Sequence, residues 1–182
     1  MRDKDYFDDE VKVLDVSLKH LEKAFKTIKA DRVFDGKRVF TTFDYPDLRL
    51  TENGKNIRLT EEDKLKLSFT TKLSPKSKET IKLFVSRKKE AIDFLDRLGL
   101  KPLAECRSHR ISWEWKEVDF DLDQFPQIPP FLEIDPGDSE IALKKILKML
   151  ELENKEVVTL STKEVYTKYG KNYLELFKIG KT

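Results

Sequence analysis

Residues 8–16 read D-D-E-V-K-V-L-D-V, and the alternation in this stretch decides how the rest of the chain is read. Asp8, Glu10, Lys12 and Leu14 fall on one side, Val11 and Val13 on the other. A period of two describes a β-strand, here with one charged face. The spacing returns in Ser108-x-Arg110-x-Ser112, in Asp119-x-Asp121-x-Asp123 and in Glu133-x-Asp135. Taken singly, each such strand reads equally well as a solvated face with cross-strand ion pairs. Taken together they read differently, because the amphipathic helices of the same chain must dock on the apolar sides of the strands.

Those helices announce themselves at 3.6-residue spacing. Ser17 caps a helix striped by Leu18, Leu21, Phe25 and Ile28; His20 stands where an acid would complete a capping box. Residues 88–98 carry Ala91, Phe94, Leu95 and Leu98 on one stripe and stop at Gly99. Residues 139–150 build a third helix on Ile141, Leu143, Ile146, Leu147 and Leu150, and residues 161–169 a short fourth, closed by Gly170. Further strands are predicted at 38–44, 64–72, 80–85, 107–115, 118–123 and 131–135, with a loop at Ser74, Pro75 and Ser77 and a break at Pro136-Gly137. Asn53-Gly54 predicts a tight hairpin between L-R-L-T and N-I-R-L-T. The expected fold is α+β: an antiparallel, eight-stranded, closed, tunnel-like β-barrel with a polar lumen, flanked by amphipathic helices, as a single domain over residues 1–182.

Composition narrows the partners. The chain has 182 residues, 36 Lys+Arg against 34 Asp+Glu, and a net charge of +2, so it lacks the basic excess of a duplex nucleic-acid binder. Its 38% charged and 10% aromatic content, with charges nearly balanced, describes a folded domain rather than a disordered one. One cysteine, Cys106, fits a reducing, cytoplasmic setting, and the acidic start is not that of a signal peptide. No run of about 18 apolar residues predicts a membrane span. With two His and one Cys, zinc is not expected. Carboxylates crowded in a lumen repel one another unless a cation joins them, which favours Mg²⁺ or Mn²⁺. Arg and Lys in the same lumen would hold phosphate oxygens.

The order of elements and several phrases resemble the CYTH domain of the triphosphate tunnel metalloenzymes, a family that includes class IV adenylyl cyclases and thiamine and inorganic triphosphatases. The resemblance covers roughly residues 7–170. D-D-E-V-K is similar to the family's opening E-x-E-x-K and places Asp8, Glu10 and Lys12. F-D-Y-P-D followed by N-G-K-N-I-R-L resembles its aromatic-Asp-x-Pro turn and Arg-bearing strand, which places Arg58. S-H-R-I-S-W places Arg110, and P-F-L-E-I-D, similar to F-L-E-I-E, places Glu133 and Asp135. The resemblance implies Mg²⁺ or Mn²⁺ on Asp8, Glu10, Glu133 and Asp135, and phosphate on Lys12, Arg58, Lys82 and Arg110. Glu10, Lys12 and Arg58 are its implied catalytic residues. The implied substrate is a triphosphate-containing small molecule such as ATP, thiamine triphosphate or inorganic triphosphate. A homodimer is compatible with it.

The departures fall on the phosphate cradle. Thr60, Thr70 and Ser108 stand where basic residues are expected, and Lys82-x-Phe84 replaces an acidic pair. Each lost charge-assisted hydrogen bond removes about 1.5–3 kcal/mol. Two expectations follow: a metal-dependent phosphohydrolase or cyclase-like enzyme, or a nucleotide- or organic-phosphate-binding protein without catalysis. A third, an interaction surface on Trp113 and Trp115, is set against their packing beneath a helix.

Overall fold

The computed structural model describes residues 10–74, 77–135, 137, 141 and 143–180. The chain divides into two compact units, one of residues 38–107 with the C-terminal segment from 171, the other of residues 9–37 and 108–170. In chain order the elements are β1 (Val11–Val13), α1 (Leu18–Ile28), β2 (Asp31–Asp44), α2 (Arg49–Glu52), β3 (Lys55–Glu61), β4 (Leu65–Ser74) and β5 (Ser77–Phe84). They continue with α3 (Lys88–Arg97), β6 (Lys101–Trp115), β7 (Val118–Gln124), β8 (Phe131–Asp135), α4 (Leu143–Met149), β9 (Val157–Val158), α5 (Thr162–Lys168) and α6 (Tyr173–Phe177). The sheet is antiparallel and its order is β5-β4-β3-β2-β6-β7-β8-β1-β9. Its long strands β2 and β6 run through both units.

The α+β class holds, with nine strands in the sheet where eight were expected. The three-residue β1 takes β8 on one edge and the two-residue β9 on the other, so both its edges are in use.

In the unit of residues 9–37 and 108–170, the apolar face of β6, β7 and β8 receives α1. Phe25 stacks on Trp113 at 4.5 Å and meets Phe120 at 5.0 Å, and Ile146 of α4 is buried in the same cluster. The tryptophan is core, as its parity requires. The stripe of α1 reads correctly, with Leu21 and Phe25 buried and Leu18 and Ile28 half-buried. Ser17 holds the N-cap position of α1 without a side-chain cap hydrogen bond. Ser161 and Glu164 form a reciprocal capping box at the start of α5. The first residues of the expected third helix lie outside the described residues; α4 begins at Leu143.

In the other unit, α3 lies on the apolar face of β2 and β3 through Ala91 and Leu95, against Phe43, Leu59 and Leu100. Phe94 and Leu98, expected on that stripe, are more than half exposed, because the contact runs through Ala91, Ile92 and Leu95 instead. The edge strand β5 also shows Ile81 and Leu83 to solvent.

The expected Asn53-Gly54 hairpin is not formed. L-R-L-T leads into α2 instead, and β2 pairs with β3 across a ten-residue turn, with Phe43 opposite Ile57. The cause is Asp44. Its Oδ1 accepts from the backbone N–H of Tyr45 and Leu50, its Oδ2 from the N–H and hydroxyl of Thr51, at 2.7–3.0 Å. One buried carboxylate thus replaces the ladder bonds that a straight hairpin would have made. Gly54, at φ +66°, then returns the chain to β3.

Candidate functional site

Opposed residues of an antiparallel pair share a face, so register assigns the polar side of each unit. In the unit of residues 38–107, Thr42 of β2 lies opposite Arg58 of β3, Arg58 opposite Ser68 of β4, and Ser68 opposite Lys82 of β5. The next rung carries Phe40, Thr60, Lys66 and Phe84. The face therefore unites two of the residues expected to hold phosphate, Arg58 and Lys82. Lys82 is exposed at the sheet edge, whereas Thr42, Thr60 and Ser68 are buried. Thr60 and Thr70 stand where the resemblance implies cations, and the face is basic nonetheless: among the described residues Arg38, Arg58, Lys66, Lys72, Lys78 and Lys82 share it with two acids, Glu62 and the hydrogen-bonded Asp44.

Sequence reasoning missed Arg38, Phe40, Glu62 and Lys66. Glu62 pairs with Arg38 and, at 2.5 Å, with Lys66. The guanidiniums of Arg38 and Arg58 stand 4.5 and 5.0 Å from the Phe40 ring, an arrangement that fixes them by cation–π attraction. The signal was the parity of residues 38, 40 and 42, visible once their strand is placed beside β3. Tyr173 of α6, also missed, is buried in this unit. Burial and the Cys106 thiol raise its phenol pKa against the opposing pull of Arg58, so it stays a neutral hydroxyl.

The polar face of the other unit is acidic. Glu10 precedes β1; Lys12 on β1 lies opposite Glu133 on β8, Glu133 opposite Asp121 on β7, and Asp121 opposite Ser112 on β6. Beside that rung Arg110 faces Asp123, and on the other side Glu114, Asp119 and Asp135 make a row of carboxylates. Burial, Glu114 and Asp135 together hold the Asp119 pKa above its ordinary value.

Glu10, Lys12, Glu133 and Arg110 are brought together. Lys12 Nζ donates to Glu10 Oε1 and stands 3.0 Å from Glu133 Oε1. Arg110 Nε donates to Asp123 Oδ1 at 2.7 Å, Nη1 to Asp121 Oδ2, and Nη2 to Asp123 Oδ2 and to Glu133 Oε2 at 2.5 Å. Ser112 Oγ donates to Asp121 Oδ1. Burial works against the charge of Lys12, but Glu133 and Glu10 outweigh it and raise its pKa. Arg110 is held charged in the same way by Asp123, Glu133 and Asp121 against its burial. The guanidinium expected to grip phosphate therefore has its donors inside a ring of three carboxylates.

The expected metal set divides. Asp8 lies outside the described residues. Asp135 sits one rung away and accepts from the Gly137 N–H at 2.9 Å. The donors have the right chemistry, since Mg²⁺ and Mn²⁺ take carboxylate oxygens. Their arrangement does not suit an ion: both oxygens of Glu133, Asp121 and Asp123 are engaged by Lys12, Arg110 or Ser112. No three described acidic, His or Cys side chains surround a point where a metal would sit. As arranged, these residues do not fit a resident divalent cation.

No protein-family model and no curated protein matches the chain. Solved structures do. A proposed adenylate cyclase of Vibrio parahaemolyticus superposes with a TM-score of 0.71 at 19% identity, over 87% of this chain and 96% of that one. A Pyrococcus horikoshii protein gives 0.67 at 17%, over 94% and 99%. A proposed adenylyl cyclase of Hippeastrum, described with a dominant triphosphatase activity, gives 0.64 at 15%, over 91% and 96%. At these identities the likeness is one of fold. No helix among the described residues is long and apolar enough to cross a membrane.

Proposed function

We propose that the chain acts on a triphosphate-containing small molecule, cleaving a phosphoanhydride bond of inorganic triphosphate, thiamine triphosphate or ATP, and that it belongs with the triphosphate tunnel enzymes. The substrate would arrive as its Mg²⁺ or Mn²⁺ complex, the ion being part of the substrate. The observation that carries this reading is the rung Thr42–Arg58–Ser68–Lys82 on a face with six basic and two acidic residues among the described ones. Guanidinium and ammonium groups flanked by buried hydroxyls complement phosphoryl oxygens. Arg58 would carry most of the charge on non-bridging oxygens, and Lys82 would meet the anion first, at the exposed edge. Glu10 and Lys12, implied as catalytic by the resemblance, are held as a pair by their hydrogen bond within the other unit. The fold is shared with structures described as proposed adenylate cyclases, one of them with a dominant triphosphatase activity, which supports a triphosphate substrate.

Phosphate release and cyclic-nucleotide formation from the three substrates, each with Mg²⁺ or Mn²⁺, test the proposal. Orthophosphate released by wild type and lost in Arg58→Ala is the expected result. Absence of both turnover and binding for all three substrates overturns it. Binding without turnover would favour the second reading, a phosphate-binding protein without catalysis. That reading draws on the engagement of Arg110 by three carboxylates.

A further inference from the structure

We propose that Arg110, with Lys12, occupies the place of a divalent cation in the acidic cluster of residues 9–37 and 108–170, so that the protein alone takes up no Mg²⁺ or Mn²⁺ there. This inference is independent of the proposed substrate, because every residue it uses lies within one unit.

The cluster joins four carboxylates, Glu10, Asp121, Asp123 and Glu133, from three separate segments. Asp123 is 1% exposed and Glu133 9%, so their charges cannot be left to solvent. Both oxygens of Asp123 meet the Arg110 fork side by side, through Nε and Nη2. The second hydrogen of Nη2 reaches Glu133, and Nη1 reaches Asp121. A planar guanidinium with five donors in a fixed fork suits such a set, which an octahedral ion with bonds of about 2.0–2.1 Å would have to rearrange. Lys12 closes the remaining side between Glu10 and Glu133. An incoming ion would have to break the paired Asp123 contacts and expel a guanidinium that is itself buried. Arg110, on the polar face of β6, is thus an internal counter-ion rather than an anion ligand.

Titration of the full-length chain with Mn²⁺ in phosphate-free buffer, read by electron paramagnetic resonance of the free ion and by calorimetry, tests this. Wild type is expected to take up no stoichiometric Mn²⁺ at the cluster. Arg110→Met, which removes the charge and the fork, is expected to bind Mn²⁺ at least about tenfold more tightly than wild type. Arg110→Lys restores a positive charge and is expected to suppress that gain. One Mn²⁺ per wild-type chain, lost in Glu133→Gln, overturns the proposal, as does a folded Arg110→Met with no Mn²⁺ uptake. Should Arg110→Met fail to fold, the comparison of wild type with Glu133→Gln decides.

Discussion

At the scale of the residue, Asp44 does more structural work than any other single acid in its unit. Four hydrogen bonds converge on its carboxylate and bend the β2–β3 connection around it. Burial raises its pKa, and the hydrogen bonds from Thr51, Leu50 and Tyr45 outweigh burial, leaving it below the ordinary carboxylate value. A depressed folded-state pKa means stability that is present above the unfolded pKa and lost as pH falls through the folded one. Asp44→Asn keeps the shape and removes the charge. Chemical denaturation should show a loss of about 1–3 kcal/mol at pH 7. The gap to wild type should narrow as pH drops below about 4; a gap unchanged down to pH 2 would contradict this account. Arg110 teaches the companion lesson. Its place on the polar face was legible from Ser108-x-Arg110-x-Ser112, but its partners were not, because register between β6, β7 and β8 brings Asp121, Asp123 and Glu133 to it from residues 11 to 23 positions away.

At the scale of the element, cap chemistry separates two helices that look alike in sequence. Both α1 and α5 begin after a serine, but Ser161 has Glu164 three residues on, whereas Ser17 has His20. Thermal or urea unfolding should register a loss of about 0.5–2 kcal/mol for Ser161→Ala. Ser17→Ala should cost much less, since no side-chain bond is there to lose. Equal costs would refute the distinction. Periodicity located the helices and most strands because burial of one stripe or one alternate face dominates local choice. It placed β2 too short by seven residues, since 31–37 lack an apolar face, and it missed β9 and α6, which are two and five residues long. The N-G signal failed where a side chain offered the backbone better acceptors than the opposite strand. The candidate basic face was half legible: Arg58 and Lys82 came from the sequence, while Arg38 and Lys66 needed register to reveal them.

At the scale of the whole molecule, a net charge of +2 conceals two strongly charged polar faces of opposite sign. Among the described residues one bears Arg38, Arg58, Lys66, Lys72, Lys78 and Lys82 against Glu62 and Asp44. The other bears seven acids against Lys12 and Arg110. Composition alone therefore hides this separation of charge. Calorimetric titration with tripolyphosphate should show affinity falling as salt rises, because the Debye length shrinks from about 10 Å at 0.1 M to about 3 Å at 1 M. Arg58→Ala should weaken binding by about 10–100-fold, a loss of about 1.5–3 kcal/mol, and more than Lys82→Ala at the exposed edge. Affinity indifferent to both salt and Arg58 would remove the basic face from any role in anion capture.

The outermost strand, β5, brings a practical liability. It ends the sheet among the described residues, and its isoleucine and leucine, each about half uncovered, would reward a further strand. The alternating Lys78 and Lys82 act as gatekeepers, repelling a second strand that approaches in the same way. Concentrated preparations should therefore clump through this margin when salt mutes the lysines. Ile81→Lys should keep such samples monodisperse in light scattering, whereas unaltered clumping would locate the sticky spot elsewhere.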